Sequence, residues 1–401
     1  MTARPLRICL YYPWLYLTSG GERTIIELAR RSRHRITIVT NEYQPEATFP
    51  ELRELDVRVM ARVPVKRTIT SVAVAASRIA RLRVDPGEFD ALLVVCEGLG
   101  DLVTLRNPRV PAFCLCLTPL RIAFDPVYRE SYLSNCAPLK RAVIRTGARA
   151  FASIDRLAWR RYRRVFAISK EIAGRIDRGR LAPSGKVQLL HPGVDLAAYR
   201  PAPPREKVFF VPGRIMWTKN LELAIDAFRE FQRRIGDPEW RLRIAGIVDR
   251  KSEPYLDRLR ERAGDAPGIE FVIKPDDATL QQMYRDCFAT LFTARNEDWG
   301  LVIIEAMASG KPVVALDRGG PREILRHEMD GLLSPPEPQH FADAMLRLAG
   351  DAAFYRHCAQ HAPQRAAMFT WPSFVAALDD AIETTVHQPA AVAPELVAVK
   401  G

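Results

Sequence analysis

Apolar residues enter this chain in two alternating rhythms. Short β-branched or apolar runs at Arg7 to Tyr12, Arg35 to Thr40, Ala91 to Cys96, Ala112 to Leu117, Val165 to Ile168 and Val187 to Leu190 read as strands. The stretches between them carry helical spacing, as over Glu22 to Arg31. Such alternation predicts a parallel sheet covered by helices on both faces. Pro201-Ala202-Pro203-Pro204 then breaks the pattern, because prolines so dense can neither continue a helix nor join a central strand. Beyond this linker the rhythm restarts, with strands expected at Lys207 to Val211, Arg241 to Ile247, Ile269 to Ile273, Ala289 to Phe292 and Pro312 to Leu316. The pattern predicts an α/β protein of two Rossmann-like domains, 1–200 and 205–370. A closing amphipathic helix follows within 371–387, then a tail at 388–401 rich in Ala, Val and Pro that should fray. In open α/β domains, ligands bind beyond the carboxyl ends of the strands.

Composition narrows the class. At 401 residues, 48% hydrophobic and 26% charged, the chain has ordinary globular character and a length suited to two cores. No apolar run approaches the ~18 residues of a spanning helix, and Met1 to Arg7 lacks the apolar centre of a signal peptide. A cytoplasmic location is expected. Seven cysteines without a Cys-x-x-Cys fit a reducing compartment and argue against zinc. Cys114 and Cys116 alternate along a strand and read as small core residues.

A net charge of +12 points to an anionic partner. Basic residues are densest over 140–180, where Arg141, Arg145, Arg149, Arg156, Arg160 and Arg161 sit among Val143, Ile144, Phe151, Leu157 and Trp159. This is the pattern of a basic amphipathic helix. It fits peripheral docking on anionic lipid at the inner face of the cell membrane, at about 1 kcal/mol per basic residue, or equally a solvated arginine-rich face. No nucleic-acid motif accompanies the charge, and no nucleic-acid partner is expected.

The chemistry concentrates in Asn296-Glu297-Asp298-Trp299-Gly300-Leu301-Val302-Ile303-Ile304-Glu305-Ala306-Met307-Ala308-Ser309-Gly310. Glu305 is the only ionisable residue between Gly300 and Gly310, on a helix otherwise apolar. A carboxylate buried there needs hydrogen-bond partners. Sugar hydroxyls supply them, and the amides opening the helix at Leu301 and Val302 can receive a phosphate. A structural helix with one paired glutamate would show the same spacing.

The flanks make the pattern more specific. Glu297 and Glu305, the Glu-Ala-Met-Ala-x-Gly-x-Pro-Val-Val run, Gly319-Gly320-Pro321-Arg322-Glu323 and Asp330-Gly331-Leu332-Leu333 together resemble the Glu-x7-Glu region of retaining glycosyltransferases of family 4. The resemblance implies a GT-B fold whose last helix crosses back to the first domain, and a nucleotide sugar as donor substrate. It also implies that Glu305 holds the ribose and Glu297 the transferred sugar. Gly213-Arg214 and Lys219-Asn220 follow the family order too, giving Arg214 and Lys219 the task of neutralising a diphosphate leaving group. No Asp-x-Asp occurs, so departure without metal, and no cofactor, is expected.

By the same resemblance, Gly20 and Gly21, before the first helix, and Gly319 and Gly320 let backbone approach the donor. His191-Pro192-Gly193-Val194-Asp195 reads as hinge geometry. One departure stands out in Cys116-Leu117-Thr118-Pro119-Leu120-Arg121, because family branches that build polysaccharide or lipid-linked sugars carry a sugar-contacting His where this chain has Leu117. Thr118 and Arg121 are the candidates to substitute for it.

The expected activity is metal-independent retaining transfer of a hexose to a saccharide or lipid-linked saccharide, with GDP-mannose the first donor and UDP-sugars next. A small-molecule natural-product acceptor, or a nucleotide-sugar-binding scaffold impaired by Leu117, are the alternatives.

Overall fold

The computed structural model describes residues 4–63, 69–134, 136–249, 251–264 and 266–387. The expected tail lies outside them. The chain divides into two compact units, one of 1–166, 176–188 and 375–401, the other of 167–175 and 189–374.

The first unit is built on a seven-stranded sheet. Its strands are β1 (Arg7–Tyr11), β2 (Arg35–Thr40), β3 (Val57–Val59), β4 (Ala91–Cys96), β5 (Ala112–Cys116), β6 (Tyr162–Ala167) and β7 (Val187–Leu189), in the order β3-β2-β1-β4-β5-β6-β7. The pairs β1–β2, β1–β4, β2–β3 and β4–β5 are parallel. The order reverses between β1 and β4, so the crevice of this sheet opens beyond Tyr11 and Cys96. Helix α1 (Gly20–Arg31) starts earlier than its apolar spacing suggests, because Ser19 caps it and accepts from the Gly21 amide. The edge strand β3 escapes the sequence pattern, since two of its three residues are exposed.

The second unit carries β8 (Val208–Pro212), β9 (Arg241–Gly246), β10 (Ile269–Ile273), β11 (Ala289–Phe292), β12 (Val313–Leu316) and β13 (Gly331–Ser334), in the order β10-β9-β8-β11-β12-β13. All adjacent pairs are parallel. Here the reversal falls between β8 and β11. Phe209, Phe231 and Trp240 pack as an aromatic core, with Phe209 stacked on Trp240 at 5.1 Å. The strand β13 was not foreseen from apolar pattern. It is only four residues long, and its Gly331 lies so close to β12 that a Cβ would stand 2.2 Å from the Val313 oxygen.

The units do not divide at the proline linker. Residues 189–200, expected with the first domain, pack with the second unit. The reason is local: Val194 bridges Thr370, and a Cβ on Gly193 would stand 2.1 Å from the Thr370 carbonyl carbon. The linker itself is pinned to the second unit, where the Ala202 amide donates to Ser309 O and the buried Lys311 Nζ donates to Ala202 O at 2.8 Å. The closing helix spans Trp371–His387. From Val375 onward it belongs to the first unit, where Asp379 accepts from Ser32 Oγ and the Arg33 amide.

Candidate functional site

The loops that leave β8 and β11 bring the second unit's expected catalytic residues to its switch point. Gly213 and Arg214 follow β8 directly, and Lys219 ends a short helical turn at Trp217–Lys219 before α2 (Leu221–Ile235). Gly213 adopts φ 129°, a conformation that glycine allows. Lys219 Nζ lies 2.5 Å from Glu297 Oε2, both side chains about one-fifth exposed. Arg214 is half-buried and makes no hydrogen bond or ion pair among the described residues.

Glu297 is held from behind by glycine contacts. Gly320 N donates to Glu297 O at 3.0 Å. A Cβ on Gly319 would stand 2.6 Å from that same oxygen, and one on Gly320 would stand 2.2 Å from Trp299 O. The close approach that Gly319 and Gly320 permit is therefore between two protein loops, which explains the glycines without any ligand. Gly300, at φ 124°, opens helix α3 (Leu301–Ala308) with no side-chain cap. The first-turn amides of Leu301 and Val302 lack intrahelical acceptors. Glu305 sits in the second turn of an otherwise apolar α3 and is half-buried rather than enclosed. Its Oε2 accepts from Tyr284 Oη at 2.7 Å. Burial, then the Glu305 carboxylate, raises the Tyr284 hydroxyl well above its usual pKa and keeps it a donor.

The first unit's switch point is built differently. Gly20 and Gly21 open α1, and Tyr12, just past β1, donates to Glu97, just past β4, at 2.5 Å. A Cβ on Gly21 would meet Leu117 Cδ1 and Tyr12 Oη at 3.2 Å and Glu97 Oε2 at 3.5 Å. Leu117 thus stands among the polar groups of this crevice, 9% exposed. Thr118 is buried beside it and donates to Pro119 O, while Arg121 lies over the Tyr128 ring at 5.9 Å. Asp125 is taken up in local capping, accepting from the Tyr128 amide.

Residues 198–365 match the family model described as Glycosyl transferases group 1. Over that stretch the chain is similar to the group 1 glycosyltransferases. It is 33% identical over 207 residues to a D-inositol 3-phosphate glycosyltransferase of Jonesia denitrificans, covering 46% of this chain and 48% of that one. The chain thus spans about half the length of that relative. The α-1,3/1,6-mannosyltransferase ALG2 of Mus musculus is 28% identical over 81% of this chain and 83% of its own. Among solved structures, Anabaena HepE, crystallised with UDP and glucose, superposes with a TM-score of 0.73 over 94% of this chain and 100% of its own, at 18% identity. The fold is the GT-B fold.

Several residues that shape this group 1 domain are silent in its sequence pattern. Arg175, 1% exposed, donates to Asp298 Oδ1 at 2.9 Å and lies 3.4 Å from Asn296 Oδ1, fixing the loop that carries Glu297. Trp299 Nε1 donates to Pro192 O, and the His191 ring stacks on Trp299 at 4.5 Å. Tyr284 and Tyr12 lie far in sequence from their carboxylate partners, and no local spacing announces either pair. The chain also holds one group of potential soft-metal ligands among the described residues, Cys96, Cys114 and Cys116, with sulfurs within 4.8 Å of one another. All are buried, and burial keeps the Cys96 and Cys114 thiols well above their usual pKa. Cys114 and Cys116 are fully buried along β5, the placement of small core residues.

Proposed function

We propose that this glycosyltransferase moves a hexose from a nucleotide sugar to a hydroxyl of a saccharide acceptor, with retention at the anomeric carbon and without a divalent metal. The observation that carries the reading is the Lys219–Glu297 pair at the reversal between β8 and β11. A cation and a carboxylate share the place where an open α/β sheet receives its ligand.

In this reading, Arg214 and Lys219 take the charge of the departing diphosphate, the role a metal fills elsewhere. The amides of Leu301 and Val302 receive a phosphate, Glu305 binds the ribose hydroxyls and Glu297 those of the sugar. The acceptor oxygen attacks the face that the diphosphate leaves, the C–O bond to phosphate breaks as the new one forms, and the leaving phosphate takes the acceptor proton. Glu297 acts as an orienting group, not a nucleophile.

Similarity to a mannosyltransferase favours GDP-mannose, with UDP-sugars second. The acceptor is a lipid-linked saccharide. The long helix α4 (Pro138–Trp159) exposes Leu139, Val143, Ile154 and Leu157 beside its arginines, the composition that rests on an anionic bilayer surface. Sedimentation with anionic but not neutral vesicles, released by salt, is the expected result.

Leu117 favours one other reading, a binding scaffold with impaired turnover. A leucine between Gly21 and Glu97 cannot share a proton or bind a hydroxyl. The test is a thermal-shift screen against GDP, UDP, ADP and TDP and their sugars, with Glu305→Ala as control. One nucleotide should raise the midpoint, and the variant should lose that shift. No shift with any nucleotide would sink the glycosyltransfer reading. A shift without release of free nucleoside diphosphate would support the scaffold.

A further inference from the structure

A pocket of about 420 Å³ lies where α4 passes the helix Pro126–Ser134, well away from either switch-point loop in sequence. Its size falls within the ~300–1,000 Å³ of small-molecule sites, but such sites are mostly apolar. This one is lined by Arg129, Glu130, Arg145, Arg149, Ser153 and Arg156, with alanines leaving the space between them. Arg145, Arg149, Ser153 and Arg156 recur at helical spacing and share one face of α4.

The guanidiniums are partly pre-set. Arg145 Nη2 donates to Glu130 Oε2 at 2.7 Å, Arg129 Nη1 to Ala123 O at 3.1 Å and Arg156 Nε to Gly179 O at 2.9 Å. A guanidinium has five N–H donors, so each of these retains others. Arg149 makes no side-chain hydrogen bond or ion pair among the described residues. Like charges at i,i+4 on a helix repel, and one carboxylate cannot offset four cations. A phosphate or diphosphate would, since its oxygens accept several forked guanidinium bonds at once.

We propose that this pocket receives a phosphate or diphosphate group carried on a lipid. The exposed Val127 and Tyr132, two residues from Arg129 and Glu130 on the shorter helix, supply the apolar surface that a lipid-borne anion requires. The proposal deepens the acceptor reading above, and rests on it only in taking the lipid to be the saccharide carrier.

The experiment measures binding of the full chain to neutral vesicles, to vesicles doped with polyprenyl diphosphate, and to vesicles doped with phosphatidylglycerol at equal charge. Inorganic pyrophosphate is titrated calorimetrically alongside. Every arm is read as the difference between the native chain and Arg149→Glu, so that pyrophosphate held at the nucleotide site cancels. Arg149 is exposed, so its replacement disturbs no buried packing. Arg149→Glu should weaken binding to the diphosphate vesicles by roughly tenfold or more, the worth of one charge-assisted bond. Glu130→Gln should tighten it, an effect that a purely structural role for Glu130 would not produce. Equal loss from phosphatidylglycerol and diphosphate vesicles, with no pyrophosphate difference, would reduce the pocket to general anionic surface and overturn the proposal. A pyrophosphate difference without a vesicle difference would overturn the lipid source. Nucleotide binding is scored separately through Glu305→Ala. If nucleotide shifts the protein while the diphosphate arms fail, this proposal alone falls, and the reverse result removes the glycosyltransfer reading instead.

Discussion

At the switch point of the second unit the polar groups are tied in pairs on a fixed backbone. Lys219 meets Glu297, Tyr284 meets Glu305, and the buried Arg175 clamps Asp298 between them in sequence. The corresponding place in the first unit holds the Tyr12–Glu97 hydrogen bond, the Gly21 corner and Leu117. The first arrangement sets cations against carboxylates, and under the proposed function it meets a phosphate-bearing ligand. The second offers a mixed apolar and polar wall, which suits a partner recognised by shape. Two sheets of the same topology therefore present unlike chemistry, and the difference lies wholly in the loops at the reversal.

The comparison breaks most readily at Lys219. Lys219→Ala removes the cation that the proposed function sets against the leaving group, and nucleoside diphosphate release should fall by about 10²- to 10³-fold, as for loss of one preorganised donor. Tyr12→Phe in the first unit should cost far less, on the order of threefold to tenfold, because the lost hydroxyl carries no charge to set against the leaving group. Steady-state release assays on both variants decide it, and equal losses would mean that the two switch points contribute alike.

The glycine pairs sharpen the same contrast through stability. Gly320→Ala would press a Cβ to 2.2 Å from Trp299 O, a backbone atom that cannot move without carrying the Glu297 loop. A loss of roughly 1–3 kcal/mol is expected. Gly21→Ala meets only the ends of Leu117 and Tyr12 at 3.2 Å, and should cost less than about 1 kcal/mol. Urea unfolding followed by tryptophan fluorescence reads both. A Gly21→Ala cost as large as that of Gly320→Ala would show the first-unit corner to be equally rigid.

This asymmetry also explains what could be read from sequence. The second-unit candidates could be picked out as a group because Glu297, Gly300 and Glu305 lie within one short segment, and the Gly-Arg and Lys-Asn steps follow a strand whose apolar run is plain. Most of the strands were legible for the same reason, being short apolar runs bounded by turn residues. The glycines were foreseen, but not their partner: Gly319 and Gly320 admit the Glu297–Trp299 backbone. Arg175, Tyr284, Tyr12 and Glu97 were missed because each acts across a gap in sequence that only the folded sheet closes. Helix α4 showed its charge in sequence, whereas the pocket it lines needed the neighbouring helix Pro126–Ser134 to supply Arg129 and Glu130.

The smallest expected effect concerns how each unit keeps a buried carboxyl. In the second, Asp298 is paired with the Arg175 guanidinium at 2.9 Å. In the first, Asp101 accepts from Tyr162 Oη at 2.5 Å and from Cys96 Sγ, and Asp155 is fully buried with no hydrogen-bond partner for either oxygen among the described residues. Burial, then the neighbouring Asp101, raises Asp155 well above the usual carboxyl range, and burial does the same to Asp101. The folded chain therefore binds more protons than the unfolded chain at any pH between the unfolded value, about 3.9, and the raised folded one. Stability linked to these groups is fully present below about pH 3.9 and declines as pH rises through the folded values. Asp155→Asn removes one of the two titrations while keeping the shape. The fall in unfolding free energy between about pH 5 and pH 8 should become shallower, and the variant should gain on the native chain as pH rises. Urea midpoints measured across that range test it. An unchanged slope would mean that Asp155 is charged in the folded chain, and that the first unit, like the second, supplies a cation to its buried acid.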